Sequence, residues 1–447
     1  MTEGRHHVTS EKLADYPPVP SWMVLSLSVY VAAWYLQIGT RWSILGAVRF
    51  EFILASLLIV ATVFRWLGGA ARGQSNQPLV AWTWILVVIL GLHTIFSVDP
   101  DRSWFIFSER VLKLIFIAVF IATFVKSPRH LRWILGALLF AWLKLGQEGL
   151  MGHITGGLMW QNQGIMRLHG STGMIAHPNS FSGWALGTLP FVIYLYPVVR
   201  SRGLRALLIL QALLSIHVLI FTGSRTGYVG VVALMLIIVW HSPKRVRTFT
   251  AIAMVAVVAF FAIPKSYLER AASIVTLEEA EGNSSGARIQ ILKDAWVILQ
   301  ENPLGVGVAG FPKARFERFG RLQDTHNLYL EVATNIGIHG LIVFGMFVFS
   351  MLRSLRRTRL HAAELLGRIN GSKRLKAAKL RAGDLTLIMA TARAVEAFIL
   401  IRLTLGLFGM DLYEIYWWLA LGFAISLRSI LFNAQRIEEY SPSFEKL

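Results

Sequence analysis

Long apolar stretches alternate with shorter polar connectors along almost the whole chain. An apolar run of roughly 18 to 25 residues has the length that an α-helix needs to cross the hydrocarbon core of a bilayer. The runs that we assign as spans, about twelve at this length, cover residues 22–40, 46–66, 79–97, 107–125, 130–147, 179–198, 204–222, 227–241, 247–264, 327–352, 386–405 and 412–431. The pattern predicts an all-α, polytopic membrane protein.

The composition supports a membrane protein and changes how the charge is interpreted. The 447 residues are 55% hydrophobic and 15% charged, with a mean hydropathy of +0.55, which is too apolar for one or two soluble domains. A formal charge of +19 would suggest a nucleic-acid partner in a soluble protein. Here the Lys and Arg residues are concentrated in alternate connectors, so they indicate topology and contact with anionic lipids, not a nucleic-acid surface.

The positive-inside rule assigns the basic connectors and both termini to the cytoplasm. The predicted units are a cytoplasmic N-terminal tail (1–21), transmembrane helices 1–9 (22–263) with a medium periplasmic loop near 148–178, a large periplasmic loop (264–325), transmembrane helices 10–12 (326–431) with a basic cytoplasmic loop (353–385), and a cytoplasmic C-terminal tail (432–447). Most connectors are only a handful of residues long. The large loop is therefore expected to carry function.

His326 lies where the large loop meets an apolar run, in the segment Thr325-His326-Asn327. A titratable side chain at a membrane surface is well positioned for proton chemistry on a lipid-anchored substrate. The alternative is that His326 only caps the following helix and hydrogen-bonds to the loop.

Two arginines are candidates for binding an anion. Arg288 falls near the start of a predicted helix that ends at Asn302-Pro303, where a positive side chain is unfavourable for the helix dipole unless an anion is present. Arg225 occupies a tight external turn between two apolar runs, where the positive-inside rule predicts few cations. The alternatives are an exposed surface arginine for Arg288 and an arginine that snorkels to the outer headgroups for Arg225.

The medium loop contributes Arg167 and His169 as possible substrate contacts, whereas His177 is expected to have a structural role at a helix start. Asp99 and Asp101 flank a proline and are interpreted as a turn in preference to a divalent-metal site. No Cys/His cluster in the sequence has zinc-ligand spacing.

The glycines of residues 305–310 match the dinucleotide-binding fingerprint, but they follow a helix stop and belong to no βαβ unit. We interpret them as a turn back toward the membrane. Charged residues also occur within predicted spans, and we expect them to pair with one another or to line a wet cavity. They are Arg49, Glu51, Glu109, Arg110, Lys113, Lys144, Glu148, Arg393, Glu396 and Arg402.

Several of these motifs occur together in one known family. The sequence from Arg288 to Trp296, the run Asn302-Pro303-Leu304-Gly305-Val306-Gly307 and the pair His326-Asn327 with the later Gly337 resemble the O-antigen ligase and O-antigen polymerase superfamily of bacterial inner-membrane glycosyltransferases. The turn Thr222 to Gly227 resembles the arginine turn of that family. The similarity is residue-specific from about 221 to 340, and it is greatest to the ligase branch.

The resemblance implies a GT-C-like fold and transfer of a glycan from undecaprenyl diphosphate to a sugar of the lipid A core, in lipopolysaccharide biosynthesis at the periplasmic face of the inner membrane. It implies no metal and no other cofactor. His326 would be the catalytic base, Arg225 and Arg288 would bind the diphosphate, and Arg167, His169 and Asn327 would be possible substrate contacts. A single displacement would invert the anomeric centre.

Other functions fit parts of the sequence. An O-antigen polymerase or a protein O-oligosaccharyltransferase would use the same donor. A secondary transporter would share the plan of spans and cytoplasmic termini, but it is expected to show two corresponding halves with broken midplane helices. We find no such repeat in the sequence.

Overall fold

The computed structural model describes residues 18–69, 78–162, 164–276, 284–371 and 382–440. Parts of several predicted units therefore lie outside the described residues: most of the N-terminal tail, residues 277–283 of the large loop, residues 372–381 of the basic loop and the end of the C-terminal tail.

Helices account for most of the described structure. They are α1 (Ser21–Leu36), α2 (Ile38–Arg41), α3 (Ser43–Ala47), α4 (Phe50–Leu67), α5 (Pro78–Ile95), α6 (Pro100–Ile106), α7 (Lys113–Phe124), α8 (Pro128–Ile154), α9 (Pro178–Leu195), α10 (Arg202–Phe221), α11 (Arg225–His241), α12 (Arg245–Ala262), α13 (Lys265–Thr276), α14 (Ser284–Glu301), α15 (Phe311–Phe319), α16 (Leu328–Gly371), α17 (Ala382–Leu405) and α18 (Ile415–Tyr440). A π-helical turn (Phe107–Leu112) leads into α7, and a 3-10 turn (Gly173–Ile175) precedes α9.

A helix covers each of the predicted apolar runs, and six helices in the described ranges are long and apolar enough to cross a membrane. They are Phe50–Leu67, Pro78–Ile95, Pro128–Ile154, Arg202–Phe221, Leu328–Ile369 and Ile415–Phe432. Two shorter apolar helices are Ser21–Leu36 and Arg225–His241. Over the described residues the structure is all-α apart from one hairpin, which is compatible with a polytopic membrane protein. The number of spans and the side of each loop stay predictions.

The two predicted loops differ in structure. The large loop contains helices α13, α14 and α15, as expected for a helical region. The medium loop contains an antiparallel hairpin that the sequence analysis did not predict, with strands β1 (Met159–Asn162) and β2 (Ile165–Leu168). Gly164 has a φ of +81° between the strands, so the reversal uses a conformation that glycine adopts without steric cost.

Helices α9 and α17 form the centre of the bundle, because most of their side chains are buried on every face. A helix that is apolar all round is typical of a fully enclosed position. Helix α17 packs against both α9 and α16, and α18 packs against α7 and α16. By contrast, α4, α5 and α10 expose many large apolar side chains, as helices that contact lipid would.

Most of the charges within predicted spans find partners or line a cavity, as expected, but Arg393 does not line the cavity and its Nε has no hydrogen-bond partner among the described residues. Glu148 lies 2.5 Å from Arg41 and 3.3 Å from Lys144. Glu396 lies 3.4 Å from Arg359 of α16, so its ion-pair partner comes from a neighbouring helix and not from Arg393 on its own helix.

Helix α16 is broken near its start. Ile336 and Gly337 have non-helical backbone angles, with a φ of +76° at Gly337. The break exposes carbonyl groups, and the glycine-rich segment 302–310 binds to them. Val306 N donates to Thr334 O at 2.8 Å. The glycines of this segment therefore form a close backbone contact as well as the predicted turn.

Two more hydrogen bonds hold the segment against the break. Gly307 N donates to Asn335 O at 2.8 Å, and Ile338 N donates to Pro303 O at 3.1 Å. Buried backbone groups that lack partners are costly, so these bonds stabilise the broken helix in one geometry. The loop that follows α14 is consequently fixed to the start of α16.

Replacing Gly337 by Ala is expected to destabilise the protein by about 2 kcal/mol. The added Cβ would lie 2.6 Å from the carbonyl carbon of Leu304, at a positive φ. Gly345→Ala on the same helix is the matched control, because nothing lies within 4 Å of its added Cβ. Thermal unfolding in detergent should give a lower Tm for Gly337→Ala and an unchanged or higher Tm for Gly345→Ala. Equal melting temperatures would contradict a tight contact at the break.

Candidate functional site

A cavity with a volume of 1920 Å³ brings together residues from distant parts of the chain. Helices α1, α4, α9, α11, α13 and α14 contribute to its walls, as do the loops that precede α16 and α18. Among the predicted site residues, Arg167, Arg225, Arg288 and His326 all line it.

His326 lies in the loop that enters α16 and has a φ of +48°. A positive φ is uncommon for a residue other than glycine and costs about 1 to 3 kcal/mol, so it persists only where neighbouring contacts hold it. Thr325 Oγ1 donates to Asn327 O at 3.0 Å, and Leu328 N donates to Gly406 O at 2.7 Å. These bonds fix the backbone on the C-terminal side of His326, while its side chain lines the cavity.

Asn327 caps helix α16. Its Oδ1 accepts a hydrogen bond from Leu330 N at 3.0 Å, and its Nδ2 donates to Leu407 O at 3.1 Å. The capping role that the alternative interpretation gave to His326 is thus filled by Asn327. Asn327 is not among the residues that line the cavity, and its amide anchors the helix start.

The surroundings of His326 favour the neutral imidazole. Burial lowers the pKa of His326, and the guanidinium of Arg288 lowers it further, while Asp324 acts in the opposite direction. A histidine with a depressed pKa is neutral at pH 7 and can accept a proton.

Arg225 is the first residue of α11. The hydroxyl of Ser224 caps this helix by accepting a hydrogen bond from Gly227 N at 3.2 Å. Gly223 has a φ of +53°, and an added Cβ would lie 2.7 Å from Ile165, so the predicted tight turn also packs closely on the hairpin. A helix start next to a guanidinium is a favourable environment for an anion.

Arg288 lies near the start of α14, a helix that begins at Ser284 and ends before Asn302. The position of α14 is fixed by its buried Asp294, whose carboxylate lies 2.9 Å from Arg315 of α15 and 3.2 Å from Arg321. Removing one partner of a buried ion pair is strongly destabilising. The pair therefore acts as an anchor for the helix that carries Arg288.

Arg270 of α13 also lines the cavity, and the sequence analysis missed it. Its Nε donates to Gly223 O at 2.6 Å, in the turn that precedes Arg225. The sequence signal that could have identified it is the amphipathic pattern of α13, which distinguishes this helix from a continuation of the preceding apolar run.

Arg167 is buried in strand β2. Its Nε donates to Thr222 O at 2.8 Å, and its NH2 group donates to Asn179 Oδ1 at 2.7 Å. Burial lowers the pKa of Arg167 to about 9, and the nearby arginines 225, 270 and 288 add to this effect. These four arginines create a strongly positive region that favours an anionic ligand.

Six acidic residues in the described part of the chain also line the cavity, and Asp324, Asp411 and Glu414 form ion pairs with basic residues outside the group of four arginines. Burial raises the pKa values of Asp324 and Asp411, and their basic partners oppose this rise. The pairs are Asp324 with Arg102 at 3.3 Å, Asp411 with Arg402 at 3.6 Å, and Glu414 with Arg110 at 2.7 Å. Each of these three carboxylates therefore has a basic partner outside the four-arginine region.

His169 is not among the cavity-lining residues. Its Nδ1 lies 3.1 Å from Gly170 O. Asp99 caps α6 through a bond from Arg102 N at 3.4 Å, so Asp99 and Asp101 stand at a helix start and not in the predicted turn. Within the described ranges, no group of three His, Cys, Asp or Glu side chains has an arrangement suited to a metal ion.

The family model described as O-Antigen ligase matches residues 210–345. This segment runs from α10 into α16 and includes Arg225, Arg270, Arg288 and His326. The resemblance that the sequence motifs indicated is confirmed over this segment. A comparison with curated proteins gives no match.

The imidazole of His326 should titrate with a pKa below its ordinary value of 6.5. Arg288→Gln should raise that pKa, because a neighbouring cation disfavours the imidazolium ion. NMR of histidine-labelled protein, assigned with His326→Gln, measures both values. Arg368→Gln is the control, because Arg368 lies on the exposed part of α16 and should leave the titration unchanged. A pKa of 6.5 or above would contradict the electrostatic account.

Proposed function

We propose that this protein, which contains the O-antigen ligase domain in residues 210–345, transfers a glycan from undecaprenyl diphosphate to a hydroxyl of the lipid A core. The reaction takes place on the periplasmic face of the bacterial inner membrane, as a step of lipopolysaccharide biosynthesis. The observation that supports this proposal most directly is the convergence of His326 and four arginines, at positions 167, 225, 270 and 288, on one cavity.

The arginines suit a diphosphate leaving group. As the bond between the anomeric carbon and the phosphate oxygen breaks, negative charge develops on the diphosphate, and fixed cations stabilise that charge. Guanidinium groups also match phosphate oxygens with planar, paired hydrogen bonds. Arg225 is the first residue of α11, so the helix dipole adds to its effect, and Arg288 is the fifth residue of α14. Because the arginines provide the positive charge that stabilises the leaving diphosphate, the reaction uses no metal ion and no other cofactor.

His326 acts as the general base. The acceptor hydroxyl gives its proton to the neutral imidazole, and its oxygen attacks the anomeric carbon. The electron pair of the broken bond leaves with undecaprenyl diphosphate. This single displacement inverts the anomeric centre. The lowered pKa of His326 keeps the ring in the accepting form at pH 7.

The size of the cavity favours a bulky acceptor. A volume of 1920 Å³ exceeds the range of about 300 to 1,000 Å³ that is typical of small-molecule pockets. A lipid A core oligosaccharide beside a lipid-linked donor requires such a space. An O-antigen polymerase or a protein O-oligosaccharyltransferase would place a different acceptor in the same cavity.

His326→Ala should reduce transfer by at least 100-fold, the lower range for loss of a general base, while binding of the lipid-linked donor survives. His361→Ala is the control, since His361 is a partly exposed residue in the later part of α16 and pairs with Glu364. The measurements are transfer by reconstituted protein and retention of radiolabelled donor. Undiminished transfer by His326→Ala would remove this residue from the mechanism.

The ligase assignment is tested by withholding the acceptor. Purified protein given lipid-linked O-antigen alone should make no longer lipid-linked product, and adding lipid A core should yield a conjugate and free undecaprenyl diphosphate. EDTA should leave the rate unchanged. Chain extension in the donor-only reaction would indicate a polymerase. Loss of activity in EDTA that Mg²⁺ restores would contradict the proposal that arginines stabilise the negative charge of the diphosphate without a metal ion.

A further inference from the structure

The β-hairpin presents an aromatic ring beside the cavity. Trp160 in β1 pairs with Arg167 in β2, and directly opposed residues of an antiparallel pair have side chains on the same face. Arg167 lines the cavity. Trp160 remains 38% exposed. Trp160 is not itself among the cavity-lining residues, and its indole lies beside them, on the hairpin face that carries Arg167.

Two histidine rings lie against Trp160. The ring centroids of His169 and His177 are 5.2 Å and 6.1 Å from that of Trp160. His177 lines the cavity. Burial lowers the pKa of His177 to about 4, with further contributions from Arg167, His326 and Arg288, so this ring is neutral at pH 7. The neutral ring of His177 thus connects the cavity to the indole of Trp160.

The hairpin is held rigidly, because α13 and the turn at residues 222–223 both contact it. Tyr267 Oη of α13 donates to Met166 O at 2.8 Å. The Arg167 guanidinium binds Thr222 O, and Ile165 packs closely on Gly223. A platform that is fixed before the ligand arrives loses little conformational entropy on binding.

We propose that Trp160 forms a saccharide subsite for the glycan of the donor. The proposal rests on the function proposed above. Hexose rings have a C–H face that packs on an aromatic ring, and indole offers the largest such surface among the side chains. With the diphosphate held by Arg225 and Arg288 and the first sugar beside His326, the later sugars of the donor leave the cavity past His177 and reach Trp160. The subsite therefore distinguishes donors that carry an oligosaccharide from donors that carry one sugar.

Four proteins test the subsite: the wild type, Trp160→Ala, Trp160→Phe and the control Trp296→Ala, whose indole is 57% exposed on α14 and does not line the cavity. Each is assayed with undecaprenyl diphosphate carrying a single N-acetylhexosamine and with the same lipid carrying a full repeat unit. Trp160→Ala should lower kcat/KM about tenfold for the repeat-unit donor, and less than about twofold for the single-sugar donor. Trp160→Phe should retain most of the activity, and Trp296→Ala should match the wild type with both donors.

A second measurement separates this proposal from the catalytic one. The oligosaccharide released from the donor by mild acid should give saturation-transfer NMR signals with the wild type and weaker signals with Trp160→Ala, whether or not the protein transfers glycan. Absence of transfer by the wild type would refute the proposed function and leave this binding test standing.

Two kinetic outcomes would overturn the subsite. The first is an equal loss of kcat/KM with both donors in Trp160→Ala, which would indicate that Trp160 supports the hairpin or anchors it at the membrane surface. The second is a loss of kcat/KM that depends on the length of the acceptor glycan, because it would indicate that Trp160 binds the acceptor and not the donor.

Discussion

The hydrogen bonds between residues 303–310 and the broken start of α16 are the constraint on which the site depends. Arg288 lies on α14, the helix before this segment, and His326 lies just before α16, the helix to which the segment is hydrogen-bonded. The bond from Val306 N to Thr334 O belongs to this contact. Because the break leaves backbone groups without helical partners, the segment can bind only in the register that satisfies them. The relative positions of Arg288 and His326 are thus set by main-chain geometry, and the glycines are needed because side chains would not fit.

The second constraint is electrostatic. In addition to burial, Arg225, Arg270 and Arg288 contribute to lowering the pKa of Arg167, and Arg288 contributes to lowering the pKa of His326. In the reaction that we propose, the diphosphate binds among these positive charges and the neutral imidazole of His326 accepts the proton. The same arginines also stabilise the structure, because Arg167 and Arg270 donate to the carbonyl groups of residues 222 and 223. Arg167 and Arg270 therefore each have a structural role as well as a place in the positive region. Loss of either arginine should affect both the fold and ligand binding.

Much of the helical fold could be predicted because the signals are local. Apolar runs of membrane-spanning length and the stop at Asn302-Pro303 depend on residues adjacent in sequence. The cavity residues Arg225, Arg288 and His326 could be proposed because each has a cationic or titratable side chain near a predicted helix start. The break at Gly337 and the place of Arg270 in the cavity depend on contacts between segments far apart in the chain, so the sequence analysis did not predict them. The hairpin was missed although its two strands are adjacent in the sequence. An asparagine just before an apolar helix is a favourable cap, so the capping role of Asn327 could have been predicted from the sequence.

The most direct measurement of the central claim is a cryo-EM structure of the full protein with an undecaprenyl diphosphate-linked glycan bound. The account predicts that both phosphorus atoms lie among the guanidinium groups of Arg225, Arg270 and Arg288, with the anomeric carbon on the side that faces His326. A diphosphate bound elsewhere, or an anomeric carbon directed away from His326, would contradict the account.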